Sequence, residues 1–186
     1  MNTSAAAEHL LFSDTLACDD EFSLSLRVAI NHADFADASR RSEATLRAMV
    51  NLDEVRGEES DGTNDATTPR IEAKVDLALS LLSILVTQSR QVPLPQHVHW
   101  SRRGFRLNCD RAWAQDESAI LSAYWMAALP LPVDLPVVVL ACEAAEVGFC
   151  IWLGVADSSP ALCSAIERVL FRRHRRHVYE RRSQIR

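Results

Sequence analysis

The sequence predicts an α+β fold: an antiparallel β-barrel carrying a long inserted helical hairpin that forms a coiled-coil bundle, and ending in a C-terminal helix. Three patterns predict it. Short runs in which apolar and polar residues alternate recur between Gly, Pro and Asp-rich turns, the signature of half-buried strands. Between the first such run and the rest lie two stretches with helical spacing, the second apolar on several sides. A Ser-Ser-Pro triplet then opens a final amphipathic segment. At 186 residues and 48% hydrophobic content, the chain suits one domain with a sizeable insertion.

Residues 1–21 are polar to mixed, end in Asp19-Asp20-Glu21, and are expected to be a partly flexible leader. The first barrel segment is 22–31: Phe22, Leu24 and Leu26 alternate with Ser23, Ser25 and Arg27. Residues 32–92 form the insert. Its first helix, about Asp34 to Arg56, is rich in Ala, Arg and Glu and carries Phe35, Leu46 and Met49 at helical intervals. Residues 57–69 are a flexible linker of turn formers and acids. Thr68 and Pro69 open the second helix.

In that second helix Ile71, Val75, Ala78, Leu82 and Leu85 step by heptad spacing, while Leu77, Leu81 and Ile84 make a second stripe beside them. One partner helix could cover one stripe only, leaving the rest to other copies or, in the alternative reading, to the barrel. These positions, with Phe35, Leu46 and Met49, are therefore expected to form an interface between copies, in a tetramer rather than a dimer.

The remainder of the barrel and its helix occupy 94–183, with strands at Val98–Trp100, Phe105–Cys109, Ala119–Trp125, Val137–Glu143 and Phe149–Val155. Ser158-Ser159-Pro160 caps the last helix, which buries Leu162, Ile166, Val169 and Leu170. From Arg168 onward eight arginines face the single acid Glu180, whereas the whole chain has a net charge of −5. Such a basic end on an acidic body points to protein contact; with no helix-turn-helix or other reader beside it, nucleic-acid binding is the weaker alternative. No run of about 18 apolar residues is free of charge or proline, which excludes a spanning helix, and no basic stretch precedes an apolar core at the N-terminus. The expected location is the cytoplasm, with the five cysteines reduced and buried.

The string His99-Trp100-Ser101-Arg102-Arg103-Gly104, followed by an apolar strand, resembles the second signature of PilZ domains, [D/N]xSxxG, with Ser101 and Gly104 matching and His99 in place of the acid or amide. Its place after an inserted helical pair is similar to the atypical PilZ group, whose members assemble as tetramers through long heptad helices. The resemblance implies a PilZ-like barrel and a role in cyclic di-GMP signalling, in motility or virulence, with signalling or pilus-related proteins as further partners. It also implies that arginines in an RxxxR motif ahead of the barrel and the signature hold the dinucleotide, through the planar guanidinium's bidentate bonds to phosphate or a guanine edge. Here Cys18-Asp19-Asp20-Glu21 stands where those arginines belong, and acids repel an anionic ligand.

The expectation is thus a scaffold or adaptor with degenerate ligand motifs and no cofactor. The alternative is a genuine cyclic di-GMP receptor using His99, Ser101, Arg102, Arg103 and Gly104. Catalytic readings find no foothold: there is no GxGxxG, Walker or GxSxG pattern, and Glu143 with Glu146 or Asp116 with Glu117 read as solvated turn residues. His97 and His99 share a strand face without a third ligand, so no metal is expected. Of the four tryptophans, Trp100 beside the signature is the one expected at a functional surface, and Trp125 and Trp152 are expected in the core.

Overall fold

Period-two alternation closes into a six-stranded barrel. In the computed structural model the elements are α1 (Thr3–Phe12), β1 (Ala17–Val28), α2 (His32–Glu58), β2 (Pro95–Ser101), β3 (Gly104–Cys109), β4 (Ser118–Tyr124), β5 (Val133–Ala144), β6 (Phe149–Val155) and α3 (Pro160–Gln184). The structure describes residues 3–58, 92–125, 132–156 and 159–184, the side chains of 47–58 and 176–184 excepted. All strand pairs are antiparallel, in the order β1-β2-β3-β6-β5-β4 with β4 returning to β1. Inward residues of every strand meet in one core, among them Phe22, Leu24, Val98, Trp100, Phe105, Leu121, Leu135, Ile151 and Leu153. Leu162, Ile166 and Leu170 of α3 join the same core and are fully buried.

Two expectations about the N-terminal region are corrected. Residues 3–12, expected in a flexible leader, form a helix, and the first strand starts at Ala17 rather than Phe22. Asp19-Asp20-Glu21 is therefore strand, in register with His97, Val98 and His99 of β2. The physical reason is Asp20, an inward-facing acid that the low strand propensity of Asp argues against. Its side chain is only 5% exposed and meets Arg173 of α3 at 2.5 Å. The basic C-terminal segment thus docks on an acid of its own chain at this point. Arg173 also donates to the Trp125 carbonyl and lies over the Phe22 ring at 5.1 Å.

Strand β5 contains Pro136, expected in a turn. Its carbonyl accepts from Ala156 N, and pairing with β6 begins only at Val137↔Val155, so the missing N–H breaks no rung. Farther along β5 the register shifts between Val139 and Ala141. That bulge turns Leu140 and Ala141 to the outer face, where they pack with Trp152 and with Ala7 and Leu11 of α1.

Asn31 starts α2, its side-chain oxygen accepting from Asp34 N at 2.9 Å. Asp34 in turn takes both guanidinium nitrogens of Arg27, at 2.6 and 2.9 Å, and Ile30 N at 3.2 Å. These bonds, Arg27's first, hold the Asp34 carboxyl down from 3.8 to about 2. A depressed carboxyl contributes stability that is fully present above its unfolded pKa and is lost as pH falls through the folded value. Wild type should therefore exceed Asp34→Asn in Tm by a constant margin from neutrality to about pH 5, narrowing below that and vanishing once pH has fallen through about 2. Thermal denaturation across that range checks it.

Phe35 and Leu46 are corrected as interface residues: both are buried within their own chain. Phe35 packs with Ala38 on Ile120 of the barrel's outer face, and Leu46 belongs to the core cluster with Leu162 and Ile166. A fully buried side chain of this size contributes roughly 1.5–3 kcal/mol, enough to hold the first half of α2 on the barrel. Ser42 donates to the Asp134 carbonyl on the same face. Helix α2 is the first helix of the expected hairpin. The side chain of Met49 and the whole heptad run Ile71, Val75, Leu77, Ala78, Leu81, Leu82, Ile84 and Leu85 lie outside the described residues.

The start of α3 follows its sequence signals. Ser159 Oγ accepts from Leu162 N at 3.1 Å and donates to Glu43 of α2 at 2.9 Å, with Pro160 at the first helical position. Among the described residues no helix is long and apolar enough to cross a membrane, and all five cysteines are free. Cys18 is buried and the other four are half-buried.

Candidate functional site

Strand alternation puts His99 and Ser101 on the outer side of β2 and Trp100 on the inner side. The expectation for Trp100 is corrected accordingly: it is fully buried, stacked parallel to Phe105 with ring centroids 5.9 Å apart and against Trp125 at 5.4 Å. Trp125 is core as expected. Trp152 is buried too, but on the outside of the barrel under α1.

Arg102 and Arg103 are the two residues of the β2–β3 turn, with Ser101 paired to Gly104. Ladder register then lines up Asp19, His99, Arg106 and Trp152 in one row across β1, β2, β3 and β6. The neighbouring row is Ser101, Gly104 and Gly154.

Helix α1 lies on these rows. Its last carbonyls have no partner within a helix, and the signature supplies them. Ser101 Oγ donates to Leu11 O at 2.7 Å while accepting from Arg103 N at 3.0 Å. Arg103 Nη1 donates to Leu10 O at 3.1 Å and Ser13 O at 3.0 Å, a cation at the negative end of a helix. Gly104 allows the close approach: a Cβ there would stand 2.0 Å from Leu153 O and 2.8 Å from Leu11 Cδ2.

One turn earlier, Glu8 reaches the other row. Its Oε1 meets Arg106 Nη1 and its Oε2 accepts from Trp152 Nε1, each at 2.6 Å. The Phe12 ring sits edge-on to His99 at 4.4 Å and beneath the Arg106 guanidinium at 6.0 Å. His99 Nδ1 lies 2.8 Å from Asp19, and that hydrogen bond holds the Asp19 carboxyl below its usual range against a smaller opposing effect of burial. The protein thus brings His99, Ser101, Arg103 and Gly104 together under α1. Arg102 turns away, 3.7 Å from Glu167 of α3. Beside α1 an apolar groove of about 510 Å³ is lined by Leu10, Leu11, Leu140, Val155 and Cys163, with Arg102 and Arg103 among its walls.

Chemically this face offers two guanidinium groups, an indole N–H and a hydroxyl, all donors suited to anions or carbonyls. All four are directed at α1. Sequence reasoning missed Glu8, Leu11 and Phe12 because α1 has no large apolar stripe. The signal available was Ala5-Ala6-Ala7-Glu8, a run of strong helix formers. His97 is exposed on the same outer face, and no group of three metal-ligating side chains occurs among the described residues.

Comparison with known proteins places this geometry. The family described as atypical PilZ domain, cyclic di-GMP receptor, matches residues 46–183. Among solved structures, a pathogenic protein from Xanthomonas campestris, described as a new tetrameric PilZ domain self-assembled via an unusual helical bundle, is 32% identical. The match covers 96% of this chain and 99% of that one, with a TM-score of 0.81. No curated protein gives a significant match.

Proposed function

Because the chain belongs to the atypical PilZ domain family, we propose that it acts without catalysis, as an oligomeric scaffold or adaptor in cyclic di-GMP-linked signalling whose own ligand face is filled by α1. The observation that carries this reading is the set of bonds from Ser101, Arg103 and Arg106 to α1, with Leu11 seated over Gly104. A dinucleotide approaching the signature meets a helix instead of free donors. Residues 1–16, next ahead of β1, contain no arginine and so supply no RxxxR pair. Calorimetric titration of the full chain with cyclic di-GMP should give no binding heat. Micromolar binding that disappears in Arg102→Ala or Arg103→Ala would instead favour a receptor, the second reading, supported by the half-exposed Arg102 beside the apolar groove.

Residues 32–92 are the assembly segment in this reading, with the heptad positions 71–85 as the contact between copies and a tetramer as the product. The tetrameric helical bundle of the Xanthomonas campestris protein supports it. Since α2 already spends Phe35 and Leu46 on its own barrel, the proposed contact between copies rests on positions 71–85. Leu82→Lys should reduce the sedimenting mass from tetramer to dimer or monomer while leaving the barrel's circular dichroism unchanged. An unaltered mass would remove the insert as the interface.

A further inference from the structure

Glu8 is held in a cleft between Arg106 and Trp152. Trp152 is 8% exposed, and its N–H, a donor only, finds its acceptor in Glu8, whereas the buried indole nitrogens of Trp100 and Trp125 have none among the described residues. Arg106 adds a guanidinium across the β3–β6 ladder from it, and the two present one donor to each carboxylate oxygen at 2.6 Å. The polar groups next in the same row are Asp19 and His99, and they are bonded to each other. Helix α1 itself buries only Ser4, Ala7 and Leu11, leaves Leu10 57% exposed, and is too short to be stable alone.

We propose that the Arg106–Trp152 cleft is an anion-binding site, filled from within the chain by Glu8, so that α1 is a tethered competitor for a ligand bearing a carboxylate or phosphate. The proposal rests on the reading of α1 as the occupant of this face, and it adds the chemistry that displaces it. Tethering gives Glu8 an effective concentration on the order of millimolar, so weak anions are excluded from wild type and only a multivalent or tightly held one displaces the helix.

The test uses the full chain with Glu8→Ala, its thermal unfolding followed in sodium acetate and in inorganic phosphate against sodium chloride of equal ionic strength. The expected result is a rise in Tm of about 2–4 °C over chloride, corresponding to about 1 kcal/mol of binding linkage. Wild type and the Glu8→Ala/Arg106→Gln double variant should show only the smaller rise that these anions give by exclusion from the protein surface, and it is subtracted before the two anions are compared. A larger response to acetate assigns the site to an acidic side chain of a partner, and a larger response to phosphate assigns it to a phosphorylated ligand. No rise over chloride, or an equal rise in the double variant, overturns the proposal. Should Glu8→Ala fail to fold, Glu8→Gln keeps an acceptor for Trp152 while freeing Arg106, and the same comparison applies. Cyclic di-GMP titration of wild type fails or succeeds independently of these outcomes.

Discussion

Gly104→Ala should lower the melting temperature by about 6–12 °C, the equivalent of roughly 3 kcal/mol in a chain of this size. The new methyl would stand 2.0 Å from the Leu153 carbonyl oxygen, a backbone atom in the paired strand, and 2.8 Å from Leu11. Leu11 can swing away only by giving up α1's seat, and Leu153 can move only by opening the β3–β6 ladder. Detachment of α1 should therefore accompany the loss of stability, seen as faster proteolysis between residues 13 and 16. Gly154→Ala is the control. Its nearest neighbour is the Leu140 side chain at 3.3 Å, which can yield, so the effect should be small.

Arg173→Met should cost about 2–4 kcal/mol, within or just below the range for stripping the cation from a buried ion pair, because Arg173 keeps a quarter of its side chain exposed. Asp20, at 5% exposure, cannot turn to solvent without leaving β1. Adding Asp20→Asn removes the buried charge that Arg173 had faced, so the double variant should be more stable than Arg173→Met alone. Chemical denaturation of the four proteins in the cycle gives the coupling, and simple additivity would show that the pair contributes nothing.

The barrel was legible in sequence because β1, β2 and β3 alternate apolar and polar residues and turn formers delimit the apolar runs of the others; Phe149–Val155 was bounded correctly at both ends. What failed did so for identifiable reasons. Acids at 19–21 outweighed the alternation of Cys18, Asp20 and Phe22, since nothing local reveals that Asp20 has an arginine 153 positions away. Proximity to the signature overrode side-chain parity for Trp100, although its neighbours on the outer face already required it to point inward. Phe35 and Leu46 could be assigned to a helix face, but a periodic stripe does not say whether its own barrel or another copy covers it.

For the site, the signature residues were found and their occupant was not. A short helix of alanines carries little hydrophobic signal, and the bulge at Leu140 and Ala141 that broadens its platform has no mark in the sequence. His99 was noticed as a departure from the signature; its partners Asp19 and Phe12 became visible only once β1 and α1 were placed.

Glu8 and Trp152 are 144 positions apart. At ~5–20 residues per second on the ribosome, roughly 7–30 s separate the synthesis of the latch from that of its catch. Arg103 and Arg106 emerge with their α1 partners already made, so until β6 is synthesised the nascent chain lacks only the Trp152 half of the cleft that seats Glu8. Full closure of this face therefore waits on the last strand of the barrel, not on the helix that covers it.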